Sequence, residues 1–197
     1  MKRIWPIVLL TCIATTSTAV PSSSPLEVVL SHPESTLEAE SGVVIFTMTN
    51  RSNAPIHVLK ALIPFPVMGE RLMNNLLDVF DGRGARAKYT SVFVEGVVYL
   101  DDGLDEKSFM KMNPGESLSR KIDLSKSYDL SAGGPYKVRF DRSVVGEASR
   151  SERGVMRFLQ TDPAPTSNTL EIWINVSLLS KTPCLVDAKR PTMCAKP

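Results

Sequence analysis

Histidine is the side chain most readily recruited as a base near neutral pH, and this 197-residue chain has two, His32 and His57. His32 precedes Pro33 and reads as a loop residue. His57 falls in an alternating stretch beside a turn and reads as a half-exposed strand residue. Serine hydrolysis needs such a base beside an activated hydroxyl, and no nucleophile-elbow motif presents one. Asp101-Asp102-Gly103-Leu104-Asp105-Glu106 clusters the carboxylates that a hard cation prefers. The spacing departs from the EF-hand loop, so the run reads as a solvated acidic loop. No catalytic residue, metal ligand or cofactor is therefore assigned. Asn50-Arg51-Ser52 and Asn175-Val176-Ser177 fit the glycosylation acceptor pattern, and Asn175 takes a polar position in its strand.

The cysteines set the compartment. Residues 1–19 resemble a secretory signal peptide, with Lys2 and Arg3 before an apolar run from Ile4 to Ala14 and small residues at Ser17-Thr18-Ala19. An 11-residue run is too short for a membrane span, which takes about 20. The mature chain is thus expected to be secreted or periplasmic and to carry no transmembrane segment. Cys12 would leave with the signal. Cys184 and Cys194 would remain close together in a Lys- and Pro-rich tail, where an oxidising compartment favours a small-loop disulfide. Loss of Lys2 and Arg3 lowers the Lys and Arg count from 23 to 21, equal to the 21 Asp and Glu. A neutral domain is a poor partner for nucleic acid.

The elements that must position any site are strands. Leu26, Val28 and Leu30 alternate. Val43 to Thr49 is a continuous β-branched and apolar run, expected as a central strand buried on both sides. Ile56 to Leu59 follows the Asn50–Asn53 turn cluster, so 43–59 reads as a hairpin. Pro64 and Pro66 interrupt any ladder. Leu76 to Phe80 is a strand that ends at the Asp81-Gly82 turn, and an extended stretch runs through Tyr89 and Val92 to Val98. From Phe109 to Phe140 a strand, an Asn113-Pro114-Gly115 turn, a second strand and a third follow in order. Leu118, Ile122 and Leu124 share a parity that only Arg120 breaks. Tyr136, Val138 and Phe140 alternate with Lys137, Arg139 and Asp141. Leu170, Ile172, Ile174 and Val176 alternate with Glu171, Trp173 and Asn175. Seven to nine short strands without an amphipathic helix predict an all-β fold, an immunoglobulin-like antiparallel β-sandwich. Its expected layout is a linker at 20–25, the sandwich at 26–178 and a tail at 179–197.

The surface segment that stands out is Pro64-Phe65-Pro66-Val67-Met68. It is apolar and Pro-interrupted, and is a candidate for docking a partner protein. The competing reading has it cross between the sheets and close one end of the core.

The succession of motifs resembles the N-terminal domain of the deuterolysin and lysine-specific metalloendopeptidase family. Phe46-Thr47-Met48-Thr49-Asn50 leads into Ile56-His57-Val58-Leu59, then Ile63-Pro64-Phe65 and Leu77-Asp78-Val79-Phe80-Asp81-Gly82. Ala87-Lys88-Tyr89-Thr90, Met112-Asn113-Pro114-Gly115-Glu116, Asp123-Leu124-Ser125 and Tyr128-Asp129-Leu130 come next. Gly134-Pro135-Tyr136-Lys137-Val138 and Ser167-Asn168 close a match over residues 26–176. The resemblance implies an immunoglobulin-like pro-domain that assists folding of a zinc peptidase or holds it latent. The H-E-x-x-H motif of that peptidase is missing, because Pro33 and Val58 follow the two histidines. The expectation is a secreted, non-catalytic binding domain with a protein partner. A metallopeptidase that it inhibits or chaperones is the specific version. The alternative is a structural or adhesive module of the cell envelope.

Overall fold

The computed structural model describes residues 24–67, 71–91, 108–142, 145–146, 149–150, 156–157 and 164–179. Residues 1–23 with the expected signal peptide, residues 92–107 with the acidic run, Met68, and the tail with Cys184 and Cys194 lie outside the described residues. The fold is all-β and antiparallel. In chain order the main strands are β1 (Leu26–Ser31), β2 (Val43–Asn50) and β3 (Ile56–Leu59). Two-residue strands β4 (Pro66–Val67) and β5 (Arg71–Leu72) precede β6 (Leu77–Asp81). Then come β7 (Phe109–Met112), β8 (Ser117–Asp123) and β9 (Gly134–Phe140). Three more two-residue pieces, β10 (Val145–Gly146), β11 (Ser149–Arg150) and β12 (Met156–Arg157), lead to β13 (Leu170–Ile174). A five-residue helix, α1 (Thr36–Glu40), is capped by Ser35 and buries none of its side chains. Among the described residues no helix is long and apolar enough to cross a membrane.

Two sheets face each other. One has the order β1-β2-β8 and the other β13-β9-β6. These are the orders A-B-E and G-F-C of an immunoglobulin-like sandwich. Alternation decides which side chains meet between them. Val28, Leu30, Val44, Phe46, Met48 and Ile122 point inward from the first sheet. Leu77, Val79, Tyr136, Val138, Phe140 and Ile172 do so from the second. Phe46 and Phe140 touch edge to face across the gap, with ring centroids 5.3 Å apart. That arrangement suits the ring quadrupoles and adds to the burial of both rings.

Two expectations need correction. β2 is central but not buried on both sides. Val44, Phe46 and Met48 are fully buried while Val43, Ile45 and Thr47 are only half-buried, because among the described residues no layer covers the outer face. Nor is 43–59 a hairpin. β2 pairs with β8 and β3 pairs with β7, and the register shifts by two residues between Thr49↔Ser117 and Ile56↔Met112. The chain makes a jog at 50–55 and carries on in the same direction. Asn50 holds the jog. Its amide donates to Ala54 O at 2.9 Å and to Met112 O at 3.0 Å, and its Oδ1 accepts from the Ser52 N–H and hydroxyl. A turn-rich sequence looks the same locally whether the chain reverses or steps aside; the partner strands make the difference.

Candidate binding surface

The segment Pro64–Met68 is largely committed to the fold where it is described. Pro64 is buried. Phe65 is half-buried and packs edge-on against Phe46, with centroids 6.0 Å apart. The guanidinium of Arg120 lies over the other side of the Phe65 ring, 5.8 Å from its centroid. This contact explains why Arg120 stands at an apolar parity in β8. Pro66 and Val67 form β4, paired with β5 through Pro66↔Leu72 and Val67↔Arg71. Pro66 does not forbid pairing there, since it begins a two-residue strand, where a missing N–H is tolerated.

His32 is exposed ahead of a buried Pro33, and His57 is half-buried opposite Lys111. Asn50 is wholly buried, so its side chain serves the jog and does not offer an acceptor for glycosylation. Asn175 is half-buried and receives hydrogen bonds from the Ser177 N–H and hydroxyl.

What the tertiary structure assembles is the outer face of β13-β9-β6. The register lays out rows across the sheet. One row holds Trp173 and Pro135, whose ring covers Gly82 so closely that a Cβ there would sit 2.8 Å from Pro135 Cγ. The next holds Glu171, Lys137 and Phe80, with Glu171 and Lys137 paired at 3.3 Å. Arg86 bridges to Phe80 at the sheet margin and stacks over its ring at 5.3 Å. The third row pairs Arg139 with Asp78.

Asp78 is the centre of this face. Its side chain is only 6% exposed, although it points outward, because three arginines close over it. Arg86 reaches Oδ1 at 2.8 Å, Arg142 reaches Oδ1 at 3.1 Å, and Arg139 approaches Oδ2 at 3.6 Å. Arg139 also pairs with Asp141 at 2.9 Å. The three guanidiniums stay partly open to solvent, and each carries five N–H donors, so the cluster keeps donors to spare. On the same face, across β9 and two rows along, Trp173 is 64% exposed. Arginine and exposed tryptophan are the side chains most enriched where proteins dock. Alternation placed Lys137, Arg139 and Trp173 on one face. Asp78 gave a weaker signal, an acid inside the apolar run Leu77–Phe80, and two of its three partners, Arg139 and Arg142, are distant in sequence. Among the described residues no group of three or more His, Cys, Asp or Glu is placed to hold a metal ion.

No family model matches this chain, and no curated protein matches it. Among solved structures, the yjhA protein from Bacillus subtilis aligns over 68% of this chain and 73% of that one, at 10% identity and a TM-score of 0.31. A likeness that slight carries no argument about function, so the face just described has to be read from its own chemistry.

Proposed function

We propose that this chain is an exported, non-catalytic binding domain that engages a protein partner through the outer face of β13-β9-β6. The observation that carries the proposal is that the exposed Trp173 shares one sheet face with an arginine cluster whose guanidiniums, among the described residues, keep donors to spare. A tryptophan supplies large contact area at little entropic cost, and arginines supply directional bonds to carboxylates or carbonyls of a partner. The sequence resemblance suggests the partner class, a secreted metallopeptidase that the domain inhibits or helps to fold. The Pro64–Val67 segment is less suited to this role, because Phe65 already packs on Phe46 and Arg120.

The alternative is an envelope module that associates by strand addition. The flanks of β13 speak against it. The Asn168 side chain clamps both the N–H and the C=O of Leu30, at 2.8 and 2.9 Å, just before the strand. Just after it, the Asn175 N–H is bonded to Glu40 O. The face of this sheet is more open than its edge.

The test is titration of the exported chain into an assay of a deuterolysin-type peptidase, read as activity and as refolding yield. The expected result is saturable inhibition or assisted refolding that weakens about tenfold in Trp173→Ala, the scale of one hot-spot residue. Phe65→Ser is expected to lower stability first. No effect on activity or refolding would overturn the peptidase version and favour the envelope module.

A further inference from the structure

A cleft of about 170 Å³ opens at one end of the second sheet, between the turn after β6 and the loop before β9. Its walls are held by backbone bonds. The Asp81 N–H binds Ala85 O, the Ala87 N–H binds Val79 O, and the Asp129 N–H binds Lys88 O. Its polar lining includes Asp81, Lys88, Asp129 and Tyr136.

Tyr136 is the informative residue. It is 2% exposed and stands opposite Asp81 on the inward row of β9. Among the described residues its hydroxyl has no hydrogen-bond partner, whereas Tyr128 and Tyr89 have theirs. Buried phenols normally find one. Tyr136 belongs to the cleft lining, so a ligand there could give its hydroxyl a partner. The two carboxylates are incomplete in the same sense. Asp81 Oδ1 accepts from the Arg83 and Ala85 N–H groups, and Asp129 Oδ1 accepts from the Ser131 N–H and hydroxyl. In each case the hydrogen bonds among described residues fall on Oδ1 and leave Oδ2 as a spare acceptor. The Ser131 bonds, and then Lys88, lower the Asp129 pKa and keep it charged. Burial, followed by Asp129 and Asp81, raises the Tyr136 pKa and keeps its proton in place as a donor.

Charge then selects the ligand. Two carboxylates repel an anion. A hard cation takes about 6–8 oxygens, and two cations, Arg86 and Lys88, share the lining with the two carboxylates, so neither sign of charge prevails. A neutral ligand with several hydroxyls suits both signs at once, donating to the two Oδ2 atoms while accepting from Lys88 and Tyr136. Ala85, Ala87 and Ala132 add methyl groups for its C–H face. The volume lies below the roughly 300–1,000 Å³ of drug-sized pockets, which suits one ring. The geometry points to this cleft as a site for a neutral polyhydroxylated ligand of single-ring size, the chemistry of a monosaccharide or of the terminal sugar of a glycan. Arg86 belongs to both this cleft and the Asp78 cluster, but Tyr136 and Asp129 belong to the cleft alone, so variants at those two positions test it apart from the docking face.

The test is a set of amide-resolved NMR titrations of the exported chain with D-glucose, D-galactose and D-mannose, each also as its methyl glycoside, to about 100 mM so that millimolar affinity registers. The expected result is saturable shifts confined to 85–88 and 129–132 for at least one sugar. Tyr136→Phe and Asp129→Ala should each weaken that binding about tenfold, with other amides unmoved as the check on folding. Binding of the glycoside as well as the free sugar marks a glycan terminus, and binding of the free sugar alone marks a free monosaccharide. Absence of saturable shifts with every sugar overturns the assignment. So does binding that both variants leave intact, or a response of the same amides to calcium chloride alone.

Discussion

The outer faces of the two sheets solve the same problem in different ways. Each must present polar side chains to water on alternate positions of three strands. On β1-β2-β8 the centre is neutral: Thr47 meets Ser119 at 3.0 Å and Thr49 meets Ser117 at 2.8 Å, hydroxyl to hydroxyl. Ion pairs sit at the periphery, Glu27 with Arg51 and Glu38 with Lys121. On β13-β9-β6 the centre is ionic, and one nearly buried carboxylate holds three arginines. The first face loses little if any one contact fails, because each group can turn to water. The second depends on a single residue, since removing Asp78 leaves three like charges in close proximity. Such concentration is a poor way to gain stability, which is in keeping with the docking role proposed for this face.

Asp78→Ala should therefore give the largest effect. We expect a loss of about 3 kcal/mol in urea unfolding, at the low end for breaking a buried pair because the arginines are part-solvated. A loss under about 0.5 kcal/mol, the scale of an ordinary surface substitution, would erase the contrast between the faces. Tyr128→Phe comes next. The Tyr128 hydroxyl accepts from the buried Leu77 N–H at 3.2 Å, and its proton is shared between Asn75 Oδ1 and Leu77 O. It thus fixes the start of the strand that carries Asp78. The expected cost is about 1–2 kcal/mol.

The same residue sets an alkaline limit. Burial raises the Tyr128 pKa, outweighing the Leu77 bond that lowers it. A folded pKa above the unfolded value of about 10 means stability that is whole below that pH and lost as pH climbs above it. Unfolding followed from pH 9 upward should show a steep decline in the wild type and a shallower one in Tyr128→Phe. Equal slopes would show that another group sets the limit.

On the neutral face, a double-mutant cycle of Thr49→Ala with Ser117→Ala should return a coupling of about 0.2–1 kcal/mol, the usual range for a cross-strand pair. A larger value would mean that the hydroxyl ladder matters as much as the ion cluster. Least of all, Glu38→Ala should change stability by no more than a few tenths of a kcal/mol, as expected of an exposed pair screened by salt.

Reading the chain as alternating residues recovers most of the fold. β1, β7, β8, β9 and β13 fall where alternation and turns put them, and the class follows from their number. The failures share a cause. Val43 to Thr49 is apolar at nearly every position, so its pattern could not reveal that only one face is covered. The jog at Asn50 uses the same Asn-Ser-Asn chemistry as a reversal. Arg120 was an exception until Phe65 was seen to lie beneath it. The cleft around Tyr136 had no sequence signature, because a buried tyrosine in an alternating strand looks like any other core residue.

Period-two alternation is a property of neighbouring residues, imposed by the pleat of each strand. That is why the sequence by itself determined the all-β class, the inward rows and the polar outward rows. Partner choice and register depend on residues far along the chain, 55 to 63 positions for β6 with β9 and 68 to 80 for β2 with β8, and a step of one would exchange the two faces. Only the tertiary structure therefore decided that Asp78 faces Arg139, that Arg86 and Arg142 close over it, and that Tyr136 ends beside Asp81 and Asp129 with its hydroxyl unspent.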